Sequence, residues 1–236
     1  MLFYPNMSQE KRRFVHALVM PTIISLVIVL LFVLQQGLGW DIESWGVFPR
    51  TLSGMKGILL HPFVHADWSH LCNNIVTFYI LSVALYYFYR DVANKVLLLL
   101  WPGTGLLLWF IGRDNYHIGV SGIVYGLAFF IFWGGVLKRN ISLLAISLTV
   151  VFWYGSMVWD MFPFLPNEAI SWEGHLSGAI VGSLLAIVFR KSKVKEDADL
   201  PEDLSENEEL TEMAMKYEKE GELIDKDKDV SAREEE

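Results

Sequence analysis

Ser121 stands in Gly119-Val120-Ser121-Gly122-Ile123-Val124-Tyr125-Gly126, at the head of an apolar stretch that runs to Val136 before Lys138-Arg139 closes it. Upstream lie His70 and Asn74, and downstream lies His175. These types suffice for acyl transfer. A serine becomes a nucleophile when a neutral histidine within hydrogen-bond reach takes its proton. The tetrahedral intermediate then needs donors aimed at its oxyanion, and the Ser121 backbone N–H, the Asn74 amide and the His70 imidazole are suitable groups. Asp67, Asp114 and Glu173 read as outer-rim residues, so a two-member Ser121–His175 pair is the simpler arrangement than a triad. Taken alone, Gly-x-Ser-Gly in an apolar helix is also a packing motif.

Spacing makes the pair plausible. His70 and Asn74 stand four apart and share one helix face, as do Ser121 with Tyr125 and Gly122 with Gly126. His175, Gly178 and Gly182 fall at i, i+3 and i+7, again on one face. Small residues let helix backbones approach closely. Two glycine-lined faces would bring Ser121 to His175, with Tyr125 stacked beside the imidazole.

The elements that carry these residues read as membrane spans. The chain is 53 % hydrophobic and only 19 % charged, with nine Trp and fifteen Phe among its 236 residues, unlike an ordinary soluble domain. Apolar runs occupy Phe14–Leu34, His70–Phe88, Val96–Ile111, Gly119–Leu137, Ile141–Val158 and Trp172–Phe189. Lipid obliges a backbone to satisfy its own hydrogen bonds, so each run is expected to be a helix. The first is too long for a secretory signal core and has no Ala-x-Ala-like exit, so it reads as uncleaved. Between the first two spans, residues 35–69 are punctuated by Gly37, Gly39, Trp40, Asp41, Trp45, Pro49, Arg50 and Gly54. This segment reads as a long interfacial loop with short helices. The expected fold is an all-α membrane protein, a six-helix bundle over residues 14–190.

Six spans put both termini on one side. With that side cytoplasmic, Lys11, Arg12, Arg13, Arg90, Lys95, Lys138, Arg139 and Arg190 lie inside, leaving Arg50, Lys56 and Arg113 outside, as the positive-inside rule prefers. The second, fourth and sixth spans then start at the outer leaflet, which places His70, Ser121 and His175 at one depth. Residues 1–13 are the cytoplasmic N-terminus. Residues 191–236 hold 18 acidic and 8 basic side chains, net −10, against 9 acidic and 11 basic before them, net +2. They are expected to form a disordered, solvated tail, with a short helix possible from the Ser205-x-x-Glu208 capping box.

Other chemistries fit less well. No basic stripe or RNA-binding aromatic motif points to nucleic acid. The single cysteine, Cys72, excludes an intramolecular disulfide framework and reads as a buried, inert thiol. His61, His65 and His70 invite a metal reading, but the pair His61-x-x-x-His65 lacks the adjacent glutamate of a metalloprotease helix and Pro62 interrupts it. These histidines are expected to tie down the loop or line a cavity, Trp159-Asp160 to be structural, and no metal or cofactor is expected.

The set His61-x-x-x-His65-x-x-x-x-His70-x-x-x-Asn74, Gly119-Val120-Ser121-Gly122 with Tyr125, and Gly174-His175-x-x-Gly178-x-x-x-Gly182 resembles the rhomboid family of intramembrane serine proteases, over roughly residues 37–190. Trp40 does not form the Trp-Arg pair found in many members. The resemblance implies a six-helix core that cleaves single-pass transmembrane proteins near the outer membrane face. It implies Ser121 as nucleophile, His175 as base, and His70, Asn74 and the Ser121 backbone, beside Gly119 and Tyr125, as the oxyanion cavity. It also implies that the first loop is the membrane-embedded lateral loop. Two other readings compete. A noncatalytic relative that binds transmembrane clients usually lacks the serine or the histidine, and both are present. A transporter would place ionisable residues mid-membrane or show two repeated halves, and neither is seen in the sequence.

Overall fold

The computed structural model describes residues 9–40, 42–153, 159–163 and 171–194. Among them the chain is helical, with a single isolated bridge between Val47 and His117 in place of any strand. Helix α1 spans Gln9–Leu38, α2 Gly57–Leu60, α3 Trp68–Phe88, α4 Ala93–Ile111, α5 Ser121–Lys138, α6 Ile141–Trp153 and α7 Trp172–Val188. Helices α1, α3, α4 and α5 are long and apolar enough to cross a membrane, and α7 is a shorter apolar helix of 17 residues. The Val158 end expected for the fifth span lies outside the described residues, as do the tail from Lys195 and its Ser205 capping box.

Helix boundaries follow local chemistry. Asp67 caps α3 by accepting the His70 N–H at 2.8 Å, so the helix starts two residues before the expected His70. Ser171 caps α7 by accepting the Gly174 N–H at 3.2 Å. Such caps satisfy donors that a helix N-terminus leaves without intrahelical partners. Gly119 has φ +98°, a conformation that glycine adopts without steric cost. It therefore stands outside α5, which begins at Ser121.

Helix α5 is the axis of the bundle. Of its apolar window 61 % is buried, against 28–44 % for the other three long helices. It packs on α3, α4, α6 and α7, with Ile123, Leu127, Phe130 and Ile131 in the core. The outward faces carry Leu26, Leu30, Leu98, Leu184 and Val188, the apolar exterior that lipid accepts. Cys72 belongs to this exterior: it is exposed, not buried as its apolar run suggested. In a membrane protein an apolar neighbourhood marks lipid as readily as core.

The α5–α7 contact runs through glycines. A Cβ on Gly178 would sit 1.8 Å from the Gly122 carbonyl oxygen, and one on Gly182 would sit 2.0 Å from that of Gly126. The two backbones meet along the two faces that the i, i+4 spacing marks.

The segment between α1 and α3 builds the expected short helices, at 43–45, 53–56, 57–60 and 61–63. It leans on α4. The Trp109 and Trp101 indoles donate to the Thr51 and Leu59 carbonyls at 3.0 Å each, and Gly105 admits the Ile58 carbonyl, which a Cβ would approach to 2.4 Å. Arg50 donates to the Gly112 carbonyl at 2.6 Å and pairs with Asp114. The segment is thereby a folded abutment for the stretch that leads into Ser121.

Candidate active site

Ser121 is the first residue of α5 and half-buried. Its backbone N–H is among the four that a helix start leaves free, at the positive end of the helix dipole. His175 lies in the first turn of α7 and is 8 % exposed. Its Nε2 stands 3.0 Å from Ser121 Oγ, and its Nδ1 stands 2.9 Å from the Asp160 carbonyl oxygen. A carbonyl only accepts, so Nδ1 carries the proton and Nε2 presents a lone pair to the serine hydroxyl. Tyr125 stacks on the imidazole with centroids 4.1 Å apart and planes 9° from parallel. The ring is therefore held on its face by Tyr125 and on its edge by Asp160.

His70 and Asn74 meet at Gly119. A Cβ there would lie 3.0 Å from His70 Cε1 and Nε2 and 3.4 Å from Asn74 Nδ2. Asn74 Nδ2 is buried and has no hydrogen-bond partner. A buried donor without an acceptor costs the resting fold its desolvation penalty, and leaves that donor available to a charge that develops during a reaction. Asn74→Ala is therefore expected to lower turnover about 10²–10³-fold with little change in KM, the usual loss for one oxyanion donor. Rates on a fluorogenic transmembrane peptide check it. Wild-type turnover in that variant would remove Asn74 from the site.

His61 and His65 lie beneath this cluster, at 2 % and 0 % exposure. The His61 ring bonds the Gly57 carbonyl at 2.8 Å, while its own carbonyl accepts the Gly119 N–H at 2.9 Å. His65 Nε2 accepts the Val120 N–H at 3.5 Å, and its ring meets that of His70 at 5.1 Å. They hold the residues that precede Ser121. Among the described residues no three of His, Cys, Asp and Glu are grouped as around a metal ion.

Burial pushes His61 down to about 4; burial, then the neighbouring His70, pushes His65 down to about 3. An unfolded histidine titrates near 6.5, so below that pH the unfolded chain binds protons that the fold refuses, and stability falls with pH. The fold is expected to lose on the order of a few kcal/mol as pH drops from about 6.5 toward 4 and to be insensitive to these groups above 7. Thermal unfolding in detergent at pH 7.5 and 4.5 checks this, with His65→Gln flattening the slope. A melting temperature that holds steady across that range contradicts it.

Two groups at the site escape a reading of side chains. The orienter of His175 is the Asp160 main-chain carbonyl, a group every residue carries, so no residue type could announce it. Glu173, near the head of α7, is 1 % exposed and turns inward beside Arg113. Ser171 was detectable as a capping residue before an apolar run; His117, 3 % exposed, carried no pattern.

Fold and site together define an α-helical, multi-pass membrane protein with a serine and a histidine in hydrogen-bond contact at the heads of two glycine-packed helices. A family model described as the Rhomboid domain matches residues 53–192, and the chain belongs to the rhomboid family. An uncharacterized protein of Mycobacterium tuberculosis is 30 % identical over 178 residues, 71 % of this chain and 74 % of that protein. Another from Mycobacterium leprae is 30 % identical over 67 % of each chain. A protein of Acanthamoeba polyphaga mimivirus with a provisional rhomboid name is 27 % identical over 60 % of this chain and 80 % of its own.

Proposed function

We propose that this chain is an intramembrane serine endopeptidase that cleaves single-pass transmembrane proteins near the outer membrane face. The observation that carries this reading is the 3.0 Å contact from Ser121 Oγ to His175 Nε2, with Nδ1 held by the Asp160 carbonyl. Ser121 Oγ attacks the scissile carbonyl carbon as its proton passes to Nε2. The oxyanion is received by the Ser121 N–H, the Asn74 amide and the His70 ring. The imidazolium returns its proton to the leaving amine, and water then hydrolyses the acyl-enzyme with His175 again as base.

Depth supports the substrate class. Helix α5 has 18 residues and α7 has 17, roughly 26 Å each at 1.5 Å per residue, less than the ~30 Å hydrocarbon core. With Lys138, Arg139 and Arg190 at the cytoplasmic interface, the helix heads end inside the outer leaflet. A substrate helix has no free backbone carbonyl there, so it must unwind locally, and substrates with helix-destabilising residues near the cleaved bond are favoured. The distribution of basic residues favours cytoplasmic termini by the positive-inside rule, with the acidic residues 191–236 on that same side, and a bacterial plasma membrane is the proposed home.

The test is cleavage of a model transmembrane substrate in liposomes by wild type, Ser121→Ala and His175→Ala. Cleavage by wild type alone supports the reading. Equal cleavage by all three refutes it. If nothing cuts, labelling of Ser121 by a fluorophosphonate probe separates a selective protease from a noncatalytic binder of transmembrane clients.

A further inference from the structure

His117, Ser171, Arg113 and Glu173 take no part in the steps above, yet they join the two strands of chain that deliver Ser121 and His175. The His117 Nε2 lies 3.0 Å from the Arg113 carbonyl and its Nδ1 lies 2.7 Å from Ser171 Oγ. A carbonyl only accepts, so Nε2 carries the proton. Burial holds the imidazole below its ordinary pKa, which keeps the ring neutral and Nδ1 an acceptor. The Ser171 hydroxyl therefore donates to His117 while its oxygen accepts the Gly174 N–H. Opposite it on the same turn, Glu173 Oε1 accepts the Arg113 N–H at 3.3 Å and lies 3.6 Å from Arg113 Nε; Oε2 has no hydrogen-bond partner.

Each side of this junction is anchored. His117 exchanges backbone hydrogen bonds with Val47 at 2.8 and 2.9 Å, and Gly119 and Ser121 follow it by two and four residues. The His175 N–H bonds the Ser171 carbonyl at 3.2 Å. Glycine packing holds α5 and α7 together up to their heads, where a Cβ on Gly122 would lie 3.0 Å from the Gly174 carbonyl oxygen. The His117 and Arg113 contacts add side-chain links to that backbone approach at the first turn of α7, where His175 lies.

We propose that the Ser171–His117 and Arg113–Glu173 contacts form a clasp that positions His175 against Ser121, making these four positioning residues for the reaction. The proposal rests on the Ser121–His175 reading and extends it. Misplacement of a reacting group by about 1 Å can cost 10²-fold in rate, so a clasp acts on turnover more than on substrate binding.

The experiment uses the full chain in detergent or lipid. Ser171→Gly keeps a competent helix cap, since glycine replaces serine there at a cost of only a few tenths of a kcal/mol, but removes the link to His117. Glu173→Gln keeps an acceptor for the Arg113 N–H but not the charge. Each is expected to lower kcat about tenfold or more with KM within about twofold, while Ser171→Thr, which keeps hydroxyl and cap, restores the rate. Independently of activity, the ¹⁵N imidazole signal of His175 reports one Nδ1–H tautomer in wild type and is expected to broaden or split in Ser171→Gly and Glu173→Gln. Wild-type kcat and an unchanged His175 signal in both variants would overturn the clasp. If wild type neither cuts nor labels while the His175 signal responds to the variants, the proteolytic reading falls and the clasp stands; an inert wild type with an unmoved signal rejects both.

Discussion

Combining Ser121→Ala with His175→Ala is expected to leave turnover no lower than either change alone. Each single variant should lose at least about 10³-fold in kcat, because a serine–histidine unit without its base or its nucleophile loses the same covalent pathway. The geometry supports this coupling: Nε2 and Oγ share one hydrogen bond at 3.0 Å, and neither has another route to the proton transfer. KM should move little in all three, since neither group holds the substrate's remote parts. Single-turnover cleavage of a fluorogenic transmembrane peptide measures this. Losses that multiply in the double variant would mean that the two residues act independently, and the pair would not be the catalytic unit.

The second large effect is steric. Gly178→Ala places a Cβ 1.8 Å from the Gly122 carbonyl oxygen, where no Cβ fits and the neighbour is backbone. Helices α5 and α7 must part, and the Ser121–His175 contact above this point must lengthen. A shift of about 1 Å is expected to cost roughly 10²-fold in kcat, with on the order of 1–3 kcal/mol of stability lost to overpacking. Gly37→Ala is the control. Nothing lies within 4 Å of a Cβ there, and alanine favours the end of α1 where glycine does not, so activity and melting temperature should hold or rise slightly. Comparable activity in Gly178→Ala and wild type would mean that the interface is softer than its packing indicates.

Both expectations were legible in part from residue spacing. Gly122 and Gly126, and Gly178 and Gly182, stand four apart, which on a helix draws a smooth stripe wherever those residues fall. That Ser121 and His175 head these stripes, and that Tyr125 lies one turn below Ser121, followed from the same period. The helical class was legible for a deeper reason: in lipid a backbone without water closes its own hydrogen bonds, so long apolar runs leave little choice of structure.

Hydropathy could not say which side of an apolar run faces protein. Cys72 points outward, against the reading of its neighbours, and Glu173 turns inward. A run that lipid and core accept equally holds no signal for its rotation, and a charge near a span's end reads as surface until a partner such as Arg113 is placed beside it. The loop before α3 was recognisable by its Trp, Arg and Gly residues, but its grip on α4 depends on contacts some 40–60 residues apart in sequence.

From the sequence alone came what periodicity and solvent dictate: helices, their apolar faces, the glycine stripes, and the residue types able to transfer a proton and hold an oxyanion. The tertiary structure decided the rest. It chose the rotation of each helix, turned the Asp160 carbonyl onto His175, buried Glu173 against Arg113 and brought Ser171 to His117. These contacts use backbone groups and distant partners, and the free energy of such contacts depends on position in space rather than on order along the chain.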